Sequence, residues 1–374
     1  MNAVFETGTT VDDLAAAIER CLEQYRDAKG LLLFAADGNA YDSDQLDTLL
    51  RAQRLPVAGG LFPQIIYGDH NYERGAIVVA VDHEPVVTVV EGLNDESIDH
   101  TTLLGDSAAL HADATTMFVF VDGMARRIGA LVAALFDSFG LEINYLGGGA
   151  GSLSLKPTRC IMTNRGLIAN AAVLLSIDAP SGIGVRHGWN YLAGPLKVTE
   201  AVGNEIISLD WRPAYQVYRE IVEQHSSHTL TKDQFFDGAK SYPFGINRLE
   251  AEYVVRDPIM VGPNDSLVCV GEVPVDSLVD VLTGDVESLT AAAGLAATEA
   301  RSAIGFADPD ATVFVDCISR VLFLADRFRR ELESVQPEDS TMFGALTLGE
   351  IANSGREYLE FYNKTAVVGV IGSS

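Results

Sequence analysis

Apolar runs alternate with short polar interruptions along the whole chain, and their spacing predicts strands and amphipathic helices in regular succession. Residues 10–27 place Val11, Leu14, Ala15, Ile18, Leu22 and Tyr25 at helical spacing. Thr10 can cap that helix, with Asp12 and Asp13 in its first turn. Residues 30–35 read as a buried strand stopped by Asp37-Gly38-Asn39. A capped helix over 43–53 and a strand over 56–66, broken at Gly59-Gly60, complete a β-α-β unit. Residues 75–81 and 85–91 predict a hairpin around Asp82-His83-Glu84. A strand over 115–121, a helix over 125–139 and a strand over 141–146 follow. Residues 159–163 and 168–177 predict a second hairpin, turning at Asn164-Arg165-Gly166.

The second half repeats this grammar. Strands over 197–202 and 205–210 pair around Gly203-Asn204, and Pro213 opens a helix running to 224. Residues 251–261 and 266–270 predict a hairpin. An Ala-rich helix over 286–303, a strand over 312–315, a long helix over 317–333 and a closing strand over 367–371 complete the chain. Both halves mix antiparallel pairs with β-α-β units, so the expected fold is α/β: a two-part layered sandwich divided near Trp211-Arg212-Pro213.

Composition narrows the function classes. A chain of 374 residues, 48% of them hydrophobic, supports two domains with real cores. No apolar run reaches the ~18 residues of a membrane span, and the first residues lack the basic-then-apolar pattern of a secretory signal. The expected location is the cytoplasm, with no membrane insertion. Net charge is −26, from 52 acidic against 26 basic residues. That acidity, with only six lysines, fits a halophilic protein: at molar salt the Debye length falls to ~3 Å and like-charged surfaces stop repelling. It also argues against nucleic acid, whose phosphates need basic patches. Cys21, Cys160, Cys269 and Cys317 form no C-x-x-C pair, which argues against a zinc ribbon or redox motif and for buried thiols.

Candidate chemistry is sparse. The run from Gly147 to Ser152 invites a phosphate loop, but G-x-G-x-x-G would need glycine where Ser152 stands. His225-x-x-His228 would need a third metal ligand, and Asp233 is the nearest candidate; two cations at a helix end are the simpler explanation. His187 lies in a Gly-rich segment beside Trp189 and Tyr191. No nucleophile elbow, H-E-x-x-H, calcium loop or C-x-x-C-H is present, so neither an enzyme nor a cofactor is expected.

The ending is the most distinctive stretch. Gly344 and Gly349 flank a short apolar run that leads into Glu350-Ile351, and Asn363-x-Thr365 opens a Val-rich strand. Upstream stand Val315-Asp316-Cys317-Ile318-Ser319-Arg320, Tyr253-Val254-Val255-Arg256, the junction segments around Leu196-Lys197, Gly203-Asn204 and Arg212-Pro213, and the glycine-rich run. In this order, over residues 29–370, they resemble the FIST domain, a sensory module of prokaryotic signal transduction. The resemblance implies an N-domain over 29–212 and a C-domain over 213–374, after an acidic helix over 1–28 that it does not explain. It implies a sensor pocket with Gly149, Gly151 and Ser152 on one wall and Gly349, Glu350, Asn363 and Thr365 on the other. Arg256 or Arg320 would be the anion partner. Such a site suits an amino acid, with Arg for the carboxylate and Glu for the ammonium, and it would signal to a histidine kinase or chemoreceptor. The alternatives are a haem-based nitric oxide sensor ligated through His187 and a protein-binding scaffold.

Overall fold

A computed structural model describes residues 1–226, 229–248, 253–305, 309–336, 341–354 and 358–372. Its strands fall into three tandem repeats of one pattern. The first runs β1 (Asn2–Glu6), α1 (Val11–Gln24), β2 (Gly30–Ala36), α2 (Ser43–Arg51), β3 (Val57–Phe62), β4 (Gln64–Tyr67), β5 (His70–Tyr72) and β6 (Ala76–Val81). The second runs β7 (Val86–Glu91), α3 (His100–Ser107), β8 (Thr116–Asp122), α4 (Ile128–Phe139), β9 (Asn144–Ala150), β10 (Ile161–Thr163), β11 (Gly166–Ile168) and β12 (Ala171–Ile177). The third opens with β13 (Ser181–Arg186) and is then interrupted. The interruption comprises β14 (Asn190–Val202), β15 (Glu205–Leu209), β16 (Arg212–Pro213), α5 (Ala214–His225), α6 (Phe235–Ala239), β17 (Phe244–Ile246), β18 (Val254–Val261), β19 (Leu267–Val270) and β20 (Leu278–Thr283). The third repeat resumes with α7 (Val286–Ala303), β21 (Pro309–Cys317), α8 (Ile318–Leu324), α9 (Phe328–Val335), β22 (Met342–Thr347), β23 (Glu350–Ser354), β24 (Tyr358–Tyr362) and β25 (Ala366–Gly372).

Each repeat contributes to two sheets. Its parallel pair is joined by a helix, as a parallel connection requires: β2 with β3, β8 with β9, β21 with β22. Its last strand and its opening strand complete one side of that sheet. Its hairpin crosses to a neighbouring sheet, so β4–β5 extends the third, β10–β11 the first and β23–β24 the second. Three six-stranded sheets of identical order result. Their inner faces share one core in which Phe34 and Phe120 meet edge to face at 5.3 Å and Phe34 lies 5.9 Å from Phe343.

Register fixes which residues correspond. Gly59, Gly147 and Gly344 each sit in the second parallel strand, opposite Leu33, Val119 and Phe314. A Cβ there would come within 2.0, 1.8 and 1.8 Å of the partner's carbonyl oxygen. Only glycine fits that close approach.

The interruption forms a closed barrel in the order β14-β20-β17-β18-β19-β15. The first half of β14 pairs with β20 and the second half with β15. Its core takes in Tyr215, Tyr218 and Phe235 from α5 and α6.

The fold is α/β, with antiparallel strands and β-α-β units as expected. Four details differ. Strands β6 and β7 form no hairpin: β6 pairs with β1 and β2, whereas β7 pairs with β12 in another sheet. The second hairpin is short, because β11 ends at Ile168 and β12 leaves for the second sheet. The strand expected over 141–146 is β9, Asn144–Ala150, which takes in the glycine-rich run up to Ala150. The long helix over 317–333 breaks at Ala325, whose φ is 48°. Residues 1–28 are built into the first repeat through the β1–β6 pairing, and the second and third sheets draw strands from both sides of residue 212. Residues 251–252 of the expected 251–261 strand lie outside the described residues, as does His228. Among the described residues, no helix is long and apolar enough to cross a membrane.

Candidate functional site: a buried polar cluster under the barrel

The three repeats act as controls for one another. Glu350 of β23 pairs with Gly148, as Ile65 pairs with Ala345 and Ile161 with Gly60. All three positions are fully buried, and two are isoleucine. The fold therefore does not ask for a carboxylate at Glu350. Likewise Asp316 corresponds to Ala35 and Val121. Asn363 and Lys364 correspond to Glu73 and Arg74, and to Ala169 and Asn170. In the first two repeats that turn faces solvent in whole or part, but in the third it is buried, because the barrel covers it.

Glu350 accepts hydrogen bonds from the Thr347 hydroxyl at 3.0 Å and the Thr365 amide at 3.3 Å. Burial pushes its pKa up to about 8 despite those donors, so it is largely protonated at neutral pH. A hydrogen-bonded chain leads away from it through Cys317, Ser319 and Asp257 to Lys364. The Lys364 ammonium lies 3.1 Å from Asp257 Oδ2, donates to the Lys240 carbonyl at 2.9 Å and sits 5.2 Å from the centre of the Trp189 ring. Burial raises the Cys317 thiol far above its ordinary value, which leaves it unreactive.

Beside this chain stands a second group. Arg320 contacts Glu331 at 2.7 Å and Asp316 at 3.2 Å. Its remaining N–H groups donate to the carbonyls of His187, Lys364 and Leu289. Burial raises both carboxyls, and they hydrogen-bond each other. One guanidinium neutralises one carboxylate, so a single proton stays on the pair. Among the described residues, neither Asp316 Oδ2 nor Glu331 Oε2 has a donor from elsewhere.

The sequence candidates separate on this geometry. Glu350, Asn363 and Thr365 come together, and the Gly349 carbonyl accepts from the Gly149 amide at 2.8 Å. Gly151 turns away to the Leu61 carbonyl, and Ser152 caps its own turn by accepting from the Ser154 amide. Arg320 is saturated by protein acceptors. Arg256 donates to the carbonyls of Glu272, Val255 and Phe361, so it ties the barrel to the β24 hairpin. Sequence reasoning missed Asp257, Asp316, Glu331 and Lys364. The available signal was an acid inside the Val-rich run of β21, and one of six lysines set in an apolar ending.

His187, the residue the haem alternative names, is buried after β13. Its Nδ1 accepts from the Trp189 amide at 2.9 Å, and burial, with Arg320 nearby, lowers its pKa to about 4. The adjacent Gly188 is pressed on α7: a Cβ there would lie 2.9 Å from Leu289 Cα and 2.8 Å from Ala292 Cβ. His225 bonds the Ile221 carbonyl at its own helix end. A shallow surface groove lined by Val87, Thr88, Val89, Thr163, Asn164 and Arg165 lies apart from the cluster, and none of the cluster's residues lines it.

Comparison with known families agrees with this architecture. No curated protein matches the chain. The FIST N domain matches residues 29–212 and the FIST C domain matches residues 214–353. The inserted barrel straddles the two matches, whereas Asp257, Asp316, Arg320, Glu331 and Glu350 fall within the second and Asn363, Lys364 and Thr365 lie beyond its end. The chain belongs to the FIST family, whose domains are sensory modules of signal transduction.

Proposed function

We propose that this chain is a non-enzymatic, cytoplasmic sensor of a small amine-bearing metabolite, amino acids and their relatives being the class. The ligand is held at Glu350, Asn363 and Thr365. The signal passes to a separate protein such as a histidine kinase or chemoreceptor. One observation carries this reading: a fully buried carboxyl stands where two equivalent repeats place isoleucine. Burying a carboxyl costs stability that isoleucine would not, and such costs are retained at sites that do chemistry or bind ligands.

The cluster also has a means of transmission. Consecutive β18 residues grip the turn beside it, Arg256 through the Phe361 carbonyl and Asp257 through Lys364. A ligand entering between that turn and Glu350 changes how the barrel docks on the third repeat. The energy for that change comes from the ligand's preference for one docking over the other.

The experiment is a thermal-shift screen of amino acids and related metabolites in molar KCl. A ligand at ~100 times its Kd stabilises by about 2.7 kcal/mol. Glu350→Gln should abolish the shift of any hit, and Asn363→Ala should cut it by about half or more. A hit that survives both substitutions refutes the site.

A further inference from the structure

The cluster is unbalanced in both charge and hydrogen bonding, and the two imbalances point the same way. Its carboxyl groups are Asp257 on β18, Asp316 on β21, Glu331 on α9 and Glu350 on β23. Its cations are Arg320 on α8 and Lys364 in the turn before β25; the neighbouring Arg256 of β18 is set against Glu360 and Glu272 and is counted with them. His187, after β13, faces Arg320 and is neutral above about pH 4. Cys317 is held as a thiol. Four carboxyls against two cations leave room for two protons at electroneutrality. The Asp316–Glu331 pair holds one and Glu350 the other.

The hydrogen-bond imbalance is separate. Asp257 Oδ1 and Asn363 Oδ1 are buried with no donor among the described residues, and the two residues are 2% and 0% exposed. Asp257 is hydrogen-bonded within the chain that reaches Glu350. Asn363 lies against Gly349, next to Glu350: its Nδ2 is 3.0 Å from where a Gly349 Cβ would stand. Both vacancies are acceptors, so the missing partner is a donor. On the donor side the five N–H groups of Arg320 are all engaged, and the Lys364 ammonium is engaged by Asp257 and Lys240. A ligand carboxylate would enter a site already rich in carboxyls and find those donors occupied.

Resting on the proposed role of this cluster as the ligand site, we infer that it takes a primary amine without a carboxylate, which binds in exchange for the proton on Glu350. The balance is simple. The ammonium arrives with its charge, Glu350 gives one proton to solvent, and the resulting carboxylate accepts from the ammonium. Asn363 Oδ1, beside Gly349, takes a second N–H group, while Asp257 stays paired with Lys364. The charge of the cluster is unchanged, so no ion is buried unpaired. The amine stays protonated throughout the neutral range, as its solution pKa is about 10.

The test uses the full chain in molar KCl and matched pairs: alanine with ethylamine, valine with isobutylamine, and so on through the aliphatic amino acids. We expect an amine to raise the melting temperature while its amino-acid counterpart binds at least ~10-fold more weakly. Its affinity should rise nearly ~10-fold per pH unit up to about pH 8 and level off above. Calorimetry in buffers of different ionisation enthalpy should report one proton released per amine near pH 7. Glu350→Gln, verified as folded by its own melting curve, should abolish that release. If amino acids bind as well as the amines, or if the heats do not depend on buffer, this inference fails while the ligand site stands. If no compound of either class gives a Glu350-dependent shift, both fail.

Discussion

Lys364 Nζ lies 3.1 Å from Asp257 Oδ2, and both side chains are shut off from water. The two residues come from different parts of the fold, the turn before β25 and the wall of the inserted barrel. Their pairing joins the barrel to the third repeat at the point where the polar cluster sits. Removing one partner leaves the other charge buried and uncompensated, which typically costs about 3–5 kcal/mol. Lys364→Met should therefore lower the unfolding free energy by about that amount. The double variant Lys364→Met with Asp257→Asn should lose much less than the two single losses combined. Denaturant titration of the four proteins measures this, and additive losses would show that the pair is not coupled.

Stability should depend on pH in a way that reports Glu350. Its folded-state pKa, about 8, lies above the ordinary carboxyl value of 4.5. The folded protein thus holds a proton that the unfolded chain has released. That contribution is fully present below the unfolded value and is lost as pH rises through about 8. His187 acts on the other side. Its folded value of about 4 lies below the ordinary 6.5, so stability falls as pH drops from 6.5 toward 4. Between about pH 4.5 and 6.5 the two slopes cancel, so the melting temperature should be level there and fall on either side. In Glu350→Gln the alkaline decline should shrink, and in His187→Gln the acid decline should. An unchanged profile in both variants would contradict these assignments.

The three equivalent glycines make a sharper packing test. Gly147→Ala or Gly344→Ala puts a Cβ 1.8 Å from a neighbouring carbonyl oxygen. Parallel strands would have to separate, so each change should cost at least ~3 kcal/mol or prevent folding, as severe overpacking does. Gly203→Ala is the control: its φ is +59° but nothing lies within 4 Å, so it should cost about 1 kcal/mol. Comparable losses at all three positions would refute the close approach.

The net charge of −26 predicts a strong salt dependence. Self-repulsion at low ionic strength is screened at molar KCl. The melting temperature should climb steeply between these limits, and a flat profile would remove the basis for a halophilic origin.

Much of this fold is legible in the sequence wherever a helix separates two apolar runs. The unit from Gly30 to Phe62 shows its strand, capped helix and strand directly. Strands β6 and β7 mislead because both are apolar on successive residues and close in sequence, and nothing local says that they enter different sheets. The threefold repetition is hidden for a related reason. Its conserved physical requirement is small volume at Gly59, Gly147 and Gly344, with any apolar residue around them. The site is legible where polar residues interrupt apolar strands, as at Glu350 and Asn363. It is illegible where distant chain segments supply a partner. Nothing near Asp257 in sequence announces Lys364, and nothing near Arg320 reveals that carbonyls of His187 and Leu289 saturate it. The value of Glu350 as a signal comes from comparison with Ile65 and Ile161, which requires the register of the sheets.

The most direct test compares equivalent turns of two repeats. Isothermal titration of the best hit from the metabolite screen should be carried out on the native chain, on Asn363→Ala and on Glu73→Ala. Glu73 occupies the same place in the first repeat, where no barrel covers the turn. The account predicts that Asn363→Ala weakens binding at least ~10-fold, equivalent to ~1.4 kcal/mol, while Glu73→Ala leaves the affinity unchanged. Equal affinity in all three proteins would contradict the placement of the sensor site under the barrel.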